Sequence, residues 1–144
     1  MTLPYQIYLA EDDEEDIEIF ENIIKQHYPD SQITVFRNGQ ELLDALKSSP
    51  VVPSFIFLDI NMPVLNGVEA LVEIRALPQT VNTPTIMLTS SDFSDEVARC
   101  LSLGANMYLV KPSRLRDYHN LIRIFKINWD NVATRQERPM NSPE

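Results

Sequence analysis

The chain has 144 residues, 44% hydrophobic and 23% charged, which suits one globular domain that buries roughly two-thirds of its unfolded surface. A formal net charge of −9 disfavours nucleic acid and anionic lipid as partners, and no apolar run approaches the ~20 residues of a membrane span. The single cysteine, Cys100, excludes an internal disulfide and suits a reducing cytoplasm, and the start MTLPYQIYLAEDD lacks the basic segment of a secretory signal.

Short apolar runs alternate with segments of helical period. QIYLA (6–10) is a strand candidate, and Ile17, Phe20, Ile24 and His27 behind it step by three and four as on an amphipathic helix. Pro29 and Asp30 stop that helix, and QITVF (32–36) reads as a second strand. Asn38-Gly39 forms a turn, after which Leu42, Leu43 and Leu46 supply the apolar face of a helix that ends before Pro50. FIFLD (55–59) is the third strand. Asn66-Gly67 opens a helix with Val68, Leu71, Val72 and Ala76 on one side and a stop at Pro78. TIMLT (85–89) is the fourth strand, and SDEVARCLSLG (94–104) fits a helix with Ser94 as N-cap and Gly104 as its stop. NMYLV (106–110) is the fifth strand. The last helix carries Leu115, Tyr118, Ile122, Phe125 and Trp129, and the polar stretch 130–144 predicts a flexible tail after a domain of residues 5–129.

Five strands alternating with five helices predict right-handed crossovers and an α/β fold, a doubly wound parallel sheet covered on both faces. In such a sheet sites gather at the carboxyl ends of the strands. Those ends carry Glu11 and Asp12, Arg37-Asn38, Asp59, Thr89-Ser90 and Lys111. Three carboxylates brought together resist ionising unless a cation joins them, and Mg²⁺ suits a site of few carboxylates, several waters and phosphoryl oxygens. Lys111 adds a fixed positive charge and Thr89 a hydroxyl donor, so the pocket is polarised for a phosphoryl group. Asp59 is the candidate nucleophile, since carboxylates form acyl phosphates and need no base at neutral pH.

Four motifs in register, YLAEDD, FLDINMPVLNG, MLTSS and YLVKP, resemble the receiver domains of two-component response regulators, the CheY-like proteins, over about residues 5–128. The resemblance implies a flavodoxin-like sheet of strand order 2-1-3-4-5. It makes Asp59 the residue phosphorylated by a sensor histidine kinase or phosphotransfer protein in a Mg²⁺-dependent reaction. Asp12 and Asp59 become direct metal ligands, Asn61 a ligand through its backbone carbonyl, and Glu11 a ligand through water. Thr89 and Lys111 bind the phosphoryl group, Tyr108 is the switch aromatic, and Asn61 and Ser91 tune dephosphorylation. The Lys111–Pro112 peptide is typically cis in that family, an isomer costing about 0.5–1 kcal/mol before proline. The chain departs from the pattern at Ser113, where many receivers have Phe, and in a longer last helix similar to that of stand-alone regulators of phytochrome-like kinases. The implied output is a downstream protein contact rather than nucleic acid or membrane, with a homodimer through Phe125 to Trp129 as a further candidate. The only chemistry implied is the chain's own phosphorylation and dephosphorylation, so it is not expected to be an enzyme.

Other readings compete. A haloacid-dehalogenase-type phosphatase also uses an aspartate after a parallel strand, but it wants a second acid where Asn61 stands. The intact set Asp12, Asp59, Thr89 and Lys111 argues against a receiver that has lost phosphorylation. A flavodoxin-like cofactor binder lacks its phosphate loop after the first strand. Asp13 to Asp16 read as the acidic first turn of a helix, and His27, His119 and Cys100 as structural.

Overall fold

The computed structural model of the chain describes residues 5–90, 94–112 and 114–136. Its elements run β1 (Gln6–Ala10), α1 (Glu14–His27), β2 (Gln32–Phe36), α2 (Gly39–Ser48), β3 (Phe55–Asp59), α3 (Gly67–Ala76), β4 (Thr85–Thr89), α4 (Ser94–Ser102), β5 (Met107–Val110) and α5 (Leu115–Gln136). All strand pairs are parallel, in the order β2-β1-β3-β4-β5.

The period-two alternation of each strand divides the core between the faces. Ile7, Leu9, Phe55, Phe57, Ile86 and Leu88 pack with Phe20, Ile23 and Ile24 of α1 and Tyr118, Ile122 and Phe125 of α5. Tyr8, Ala10, Ile56, Leu58 and Met87 pack instead with α2, α3 and Cys100 of α4. Every residue of β3 and β4 is buried, which explains why these strands read as continuous apolar runs. Phe125 lies inside the first of these cores at 1% exposure, which withdraws it from the candidate dimer contact.

Capping follows the polar signals. Asp13, Asn38 and Asn66 cap α1, α2 and α3, each accepting a backbone N–H from three residues on, and Glu69 completes a capping box with Asn66. Gly104, at φ 109°, ends α4 in a Schellman arrangement: its N–H donates to Leu101 O and that of Ala105 to Cys100 O. Three boundaries differ from expectation. Ser94 is the first helical residue of α4, not its cap. β5 begins at Met107, and the exposed Asn106 before it is held by its side chain, its Oδ1 accepting from Thr85 N and Arg75 Nη2 at 2.8 Å each. The helix α5 runs on to Gln136, since polar composition reads the same in a solvated helix as in a tail.

Gly67 fixes the loop beyond β3. Its N–H donates to Ile60 O at 2.9 Å, and a Cβ there would sit 2.2 Å from the backbone oxygen of Asp59. Gly67→Ala therefore forces the β3–α3 loop outward, with an expected loss of about 1–3 kcal/mol in urea unfolding.

Candidate functional site

The sheet register brings the polar residues to one edge. Ala10 pairs with Leu58, so Glu11 follows level with Asp59; Asp59 pairs with Leu88, and Thr89 with Val110, so Lys111 follows one step beyond Thr89. Glu11 N donates to Phe36 O, and Lys111 N to Thr89 O, holding both residues to the strand ends. Glu11 and Asp59 share the parity of Leu9 and Phe57 and so face the α1 and α5 side. Thr89 shares the parity of Met87 and faces α4.

Carboxylate oxygens of Glu11, Asp12 and Asp59 lie within 4.8 Å of one another. Glu11 is 2% exposed and Asp59 4%, while Asp12 stands open to solvent. The Lys111 ammonium enters from the far side and donates to Glu11 Oε2 at 2.5 Å and Asp16 Oδ2 at 3.1 Å, with Asp59 Oδ1 at 3.2 Å. Its aliphatic stem lies along a small cavity lined by Leu9, Phe20, Leu88 and Tyr118. The Lys111–Pro112 peptide is trans, since no described bond is cis. This corrects the expectation carried by the motif: the ring of three carboxylates aims the lysine without a cis bond.

Burial dominates the protonation of the pocket. It raises the Glu11 carboxyl to about 7, against the Lys111 hydrogen bond and with the Asp59 charge adding to the rise. The Asp59 carboxyl is also raised by burial, opposed by Lys111 and reinforced by Asp12 and Asp16. Burial pushes the Lys111 ammonium down, but the hydrogen bond and charge of Glu11 and the charge of Asp59 outweigh it and hold it above the usual lysine range. Two buried acids kept above their ordinary range, with a third at the open rim, fit a hard divalent cation with oxygen ligands.

Other residues need relocating. Asp16 belongs to the pocket, not merely to a solvated helix face, whereas Asp13 caps α1 and Glu14 and Glu15 stand exposed in its first turn as the local reading supposes. Tyr108 is half-buried, and its hydroxyl donates to Glu96 Oε1 at 2.7 Å. Asn61 is exposed in the loop after β3, and Ser91 and Ser113 lie outside the described residues. His27 and His119, distant in sequence, meet with ring centroids 6.0 Å apart where α1 packs on α5. Cys100 is fully buried, and burial raises its thiol, so it stays inert packing. Val64 was not foreseen. It sits at φ 68° and 79% exposure, with Leu65 N donating to Pro63 O across it in a γ-turn of the strained, positive-φ kind.

A doubly wound parallel sheet with acids and a lysine gathered at the carboxyl ends of its strands has its candidate site where folds of this kind carry theirs. Residues 7–123 match the family model described as the response regulator receiver domain, and the chain belongs to that family, a receiver domain of two-component signalling. The response regulator Rcp1 of Synechocystis sp. is 29% identical over 137 residues, spanning 91% of this chain and 92% of the relative. A structure described as the Mn²⁺-bound form of response regulator Rcp1 is 28% identical with a TM-score of 0.79, covering 88% of this chain and 94% of that one. The bacteriophytochrome response regulator RtBRR is 31% identical with a TM-score of 0.71, covering 83% and 76%. Receiver domains bind Mg²⁺ or Mn²⁺ at an acidic pocket of this kind and interact with histidine kinases or phosphotransfer proteins. No helix among the described residues is long and apolar enough to cross a membrane.

Two predictions follow from the charges and the strain. Burial holds the folded Glu11 carboxyl at about 7, above its ordinary 4.5, so the folded state keeps a proton that the unfolded chain releases, and stability falls as pH rises through that window. In chelator, wild type should lose about 1–3 kcal/mol more than Glu11→Gln between about pH 5 and about pH 8, measured by urea unfolding. Val64→Gly should relieve the positive φ and raise stability by about 1 kcal/mol.

Proposed function

We propose that the chain is a phosphorylation switch in which Asp59 accepts a phosphoryl group from the phosphohistidine of a histidine kinase or phosphotransfer protein. The observation that carries this reading is the buried Asp59 carboxylate at the end of β3, with Lys111 Nζ 3.2 Å away and two more acids within 4.8 Å. Mg²⁺, bound directly by Asp12, Asp59 and the Asn61 backbone carbonyl and through water by Glu11, would neutralise the acids and the incoming phosphoryl oxygens. One Asp59 oxygen attacks phosphorus while the P–N bond to the donor imidazole breaks, and the imidazole nitrogen keeps the electron pair and takes a proton from solvent. Lys111 turns from Asp59 to the phosphoryl oxygens, and the Thr89 hydroxyl donates a hydrogen bond to one of them.

The bound phosphoryl adds roughly −1.5 to −2 charge at one strand edge, and Thr89 and Tyr108 carry the change towards the surface around α4, β5 and α5. Water attack in line on the acyl phosphate resets the switch, at a rate tuned by Asn61 and Ser91. The chain acts on no separate substrate, so it is not an enzyme in the ordinary sense. Its output is a contact with a downstream protein, and a homodimer through the last helix region is a second route to output. Similarity to a protein described as a bacteriophytochrome response regulator favours a phytochrome-like kinase as donor, and the single cysteine suits a cytoplasmic location. The amide of Asn61, where a phosphatase would need an acid, disfavours turnover of phosphate esters.

Incubation with Mg²⁺ and acetyl phosphate should add one acid-stable, base-labile phosphoryl group by intact mass. Glu11→Gln should slow the reaction without moving the modified residue. Asp59→Asn or excess chelator should abolish it. Modification that persists in Asp59→Asn, or steady hydrolysis of many phosphate esters, would contradict the reading.

A further inference from the structure

On the α4 side of the sheet a second polar contact lies outside the acidic pocket. Tyr108 pairs with Met87 and shares its face, as does Thr89 two residues along β4. The Tyr108 hydroxyl donates to Glu96 Oε1 at 2.7 Å, and Thr89, on the same face of the neighbouring strand, acts on the Tyr108 phenol as a hydrogen-bond donor that lowers it against the rise from burial and Glu96. Glu96 is half-buried on the first turns of α4, one turn before Cys100, which is fully buried beneath the helix. Burial and the Glu96 acceptor both raise the Tyr108 phenol, so it remains a donor throughout the physiological range.

A tyrosine hydroxyl has one proton to give, and so has a threonine. With Tyr108 donating to the carboxylate, its oxygen is left to accept from Thr89, and the chain of donors runs outward from Thr89 to Tyr108 to Glu96. A carboxylate at the outer end strengthens both bonds.

We propose that Glu96 is a positioning residue that latches the anion-free state, holding Tyr108 outward and engaging the Thr89 hydroxyl that an anion on Asp59 needs. The inference rests on the phosphorylation reading above and adds to it a named residue on α4. An anion at Asp59 claims the Thr89 proton, breaks the inner link, and weakens the outer one. Linkage makes the effect reciprocal: loss of Glu96 frees Thr89 and tightens the anion. A residue with a merely structural role would loosen the site instead.

The test is calorimetric titration of the Mg²⁺-loaded protein with beryllofluoride. Glu96→Ala is expected to bind about 2- to 10-fold tighter than wild type, the range one net hydrogen bond supplies, with Glu96→Gln nearer wild type because its amide oxygen still accepts. Tyr108→Phe should bind tighter too, and adding Glu96→Ala to it should change nothing further. In the anion-free protein, thiol labelling of Cys100 should be several-fold faster in Glu96→Ala and restored in Glu96→Gln. Affinity that is unchanged or weaker in Glu96→Ala, or a Glu96→Ala effect that survives in Tyr108→Phe, overturns the latch alone. Wild type that fails to bind beryllofluoride overturns the phosphorylation reading and the latch together.

Discussion

The Lys111 ammonium set among the carboxylates of Glu11, Asp16 and Asp59 is the contact on which the rest of the site depends. Two of those acids are nearly inaccessible to water, and charge at such depth is costly unless paired. One lysine answers three carboxylates, with Asp12 a fourth negative group at the rim. The pocket is therefore under-neutralised by construction. Burial raises the Glu11 and Asp59 carboxyls, the neighbouring acids add to that rise, and the site is suited to a divalent cation. It also explains how the lysine keeps its aim with a trans peptide before Pro112.

The fold delivers this contact through a rigid centre. β3 carries Asp59 on four fully buried apolar residues, with Phe57 edge-on to both Phe55 and Phe125 of α5 and Phe55 tilted against Phe125. Gly67 lets α3 start against the backbone of Asp59, and the Val64 γ-turn closes the loop between them. On the α4 side, by contrast, the half-buried Tyr108 donates its hydroxyl proton in a hydrogen bond to the Glu96 carboxylate. Under the proposed function, a phosphoryl group on Asp59 would change hydrogen bonding toward α4 while β3 stays packed in the core.

Much of the fold was legible in the residues because buried parallel strands are nearly uniform in their apolar character and end on charges or prolines. Four of the five strands run as their sequence implies, and the register follows from that. The acids, Thr89 and Lys111 were legible because each ends a strand or stands within two residues of its end. Asp16 was harder: its only local mark is that it stands four residues before Phe20, so both project from the face of α1 that meets the sheet. Glu96 carried a similar faint sign, its four-residue spacing from the buried Cys100. No propensity marks Val64 for a positive φ, because the loop closure between Ile60 and Gly67 imposes it. The His27 and His119 encounter is a product of α1 packing on α5 and has no signature in either helix.

The central claim, that Lys111 and Thr89 serve an anion held on Asp59, is tested most directly by a crystal structure with Mg²⁺ and beryllofluoride. The account predicts beryllium bonded to an Asp59 carboxylate oxygen, with Lys111 Nζ and the Thr89 hydroxyl both donating to fluorine. Beryllium on another carboxylate, or Lys111 still held by Glu11 and Asp16 with no contact to the anion, would contradict it.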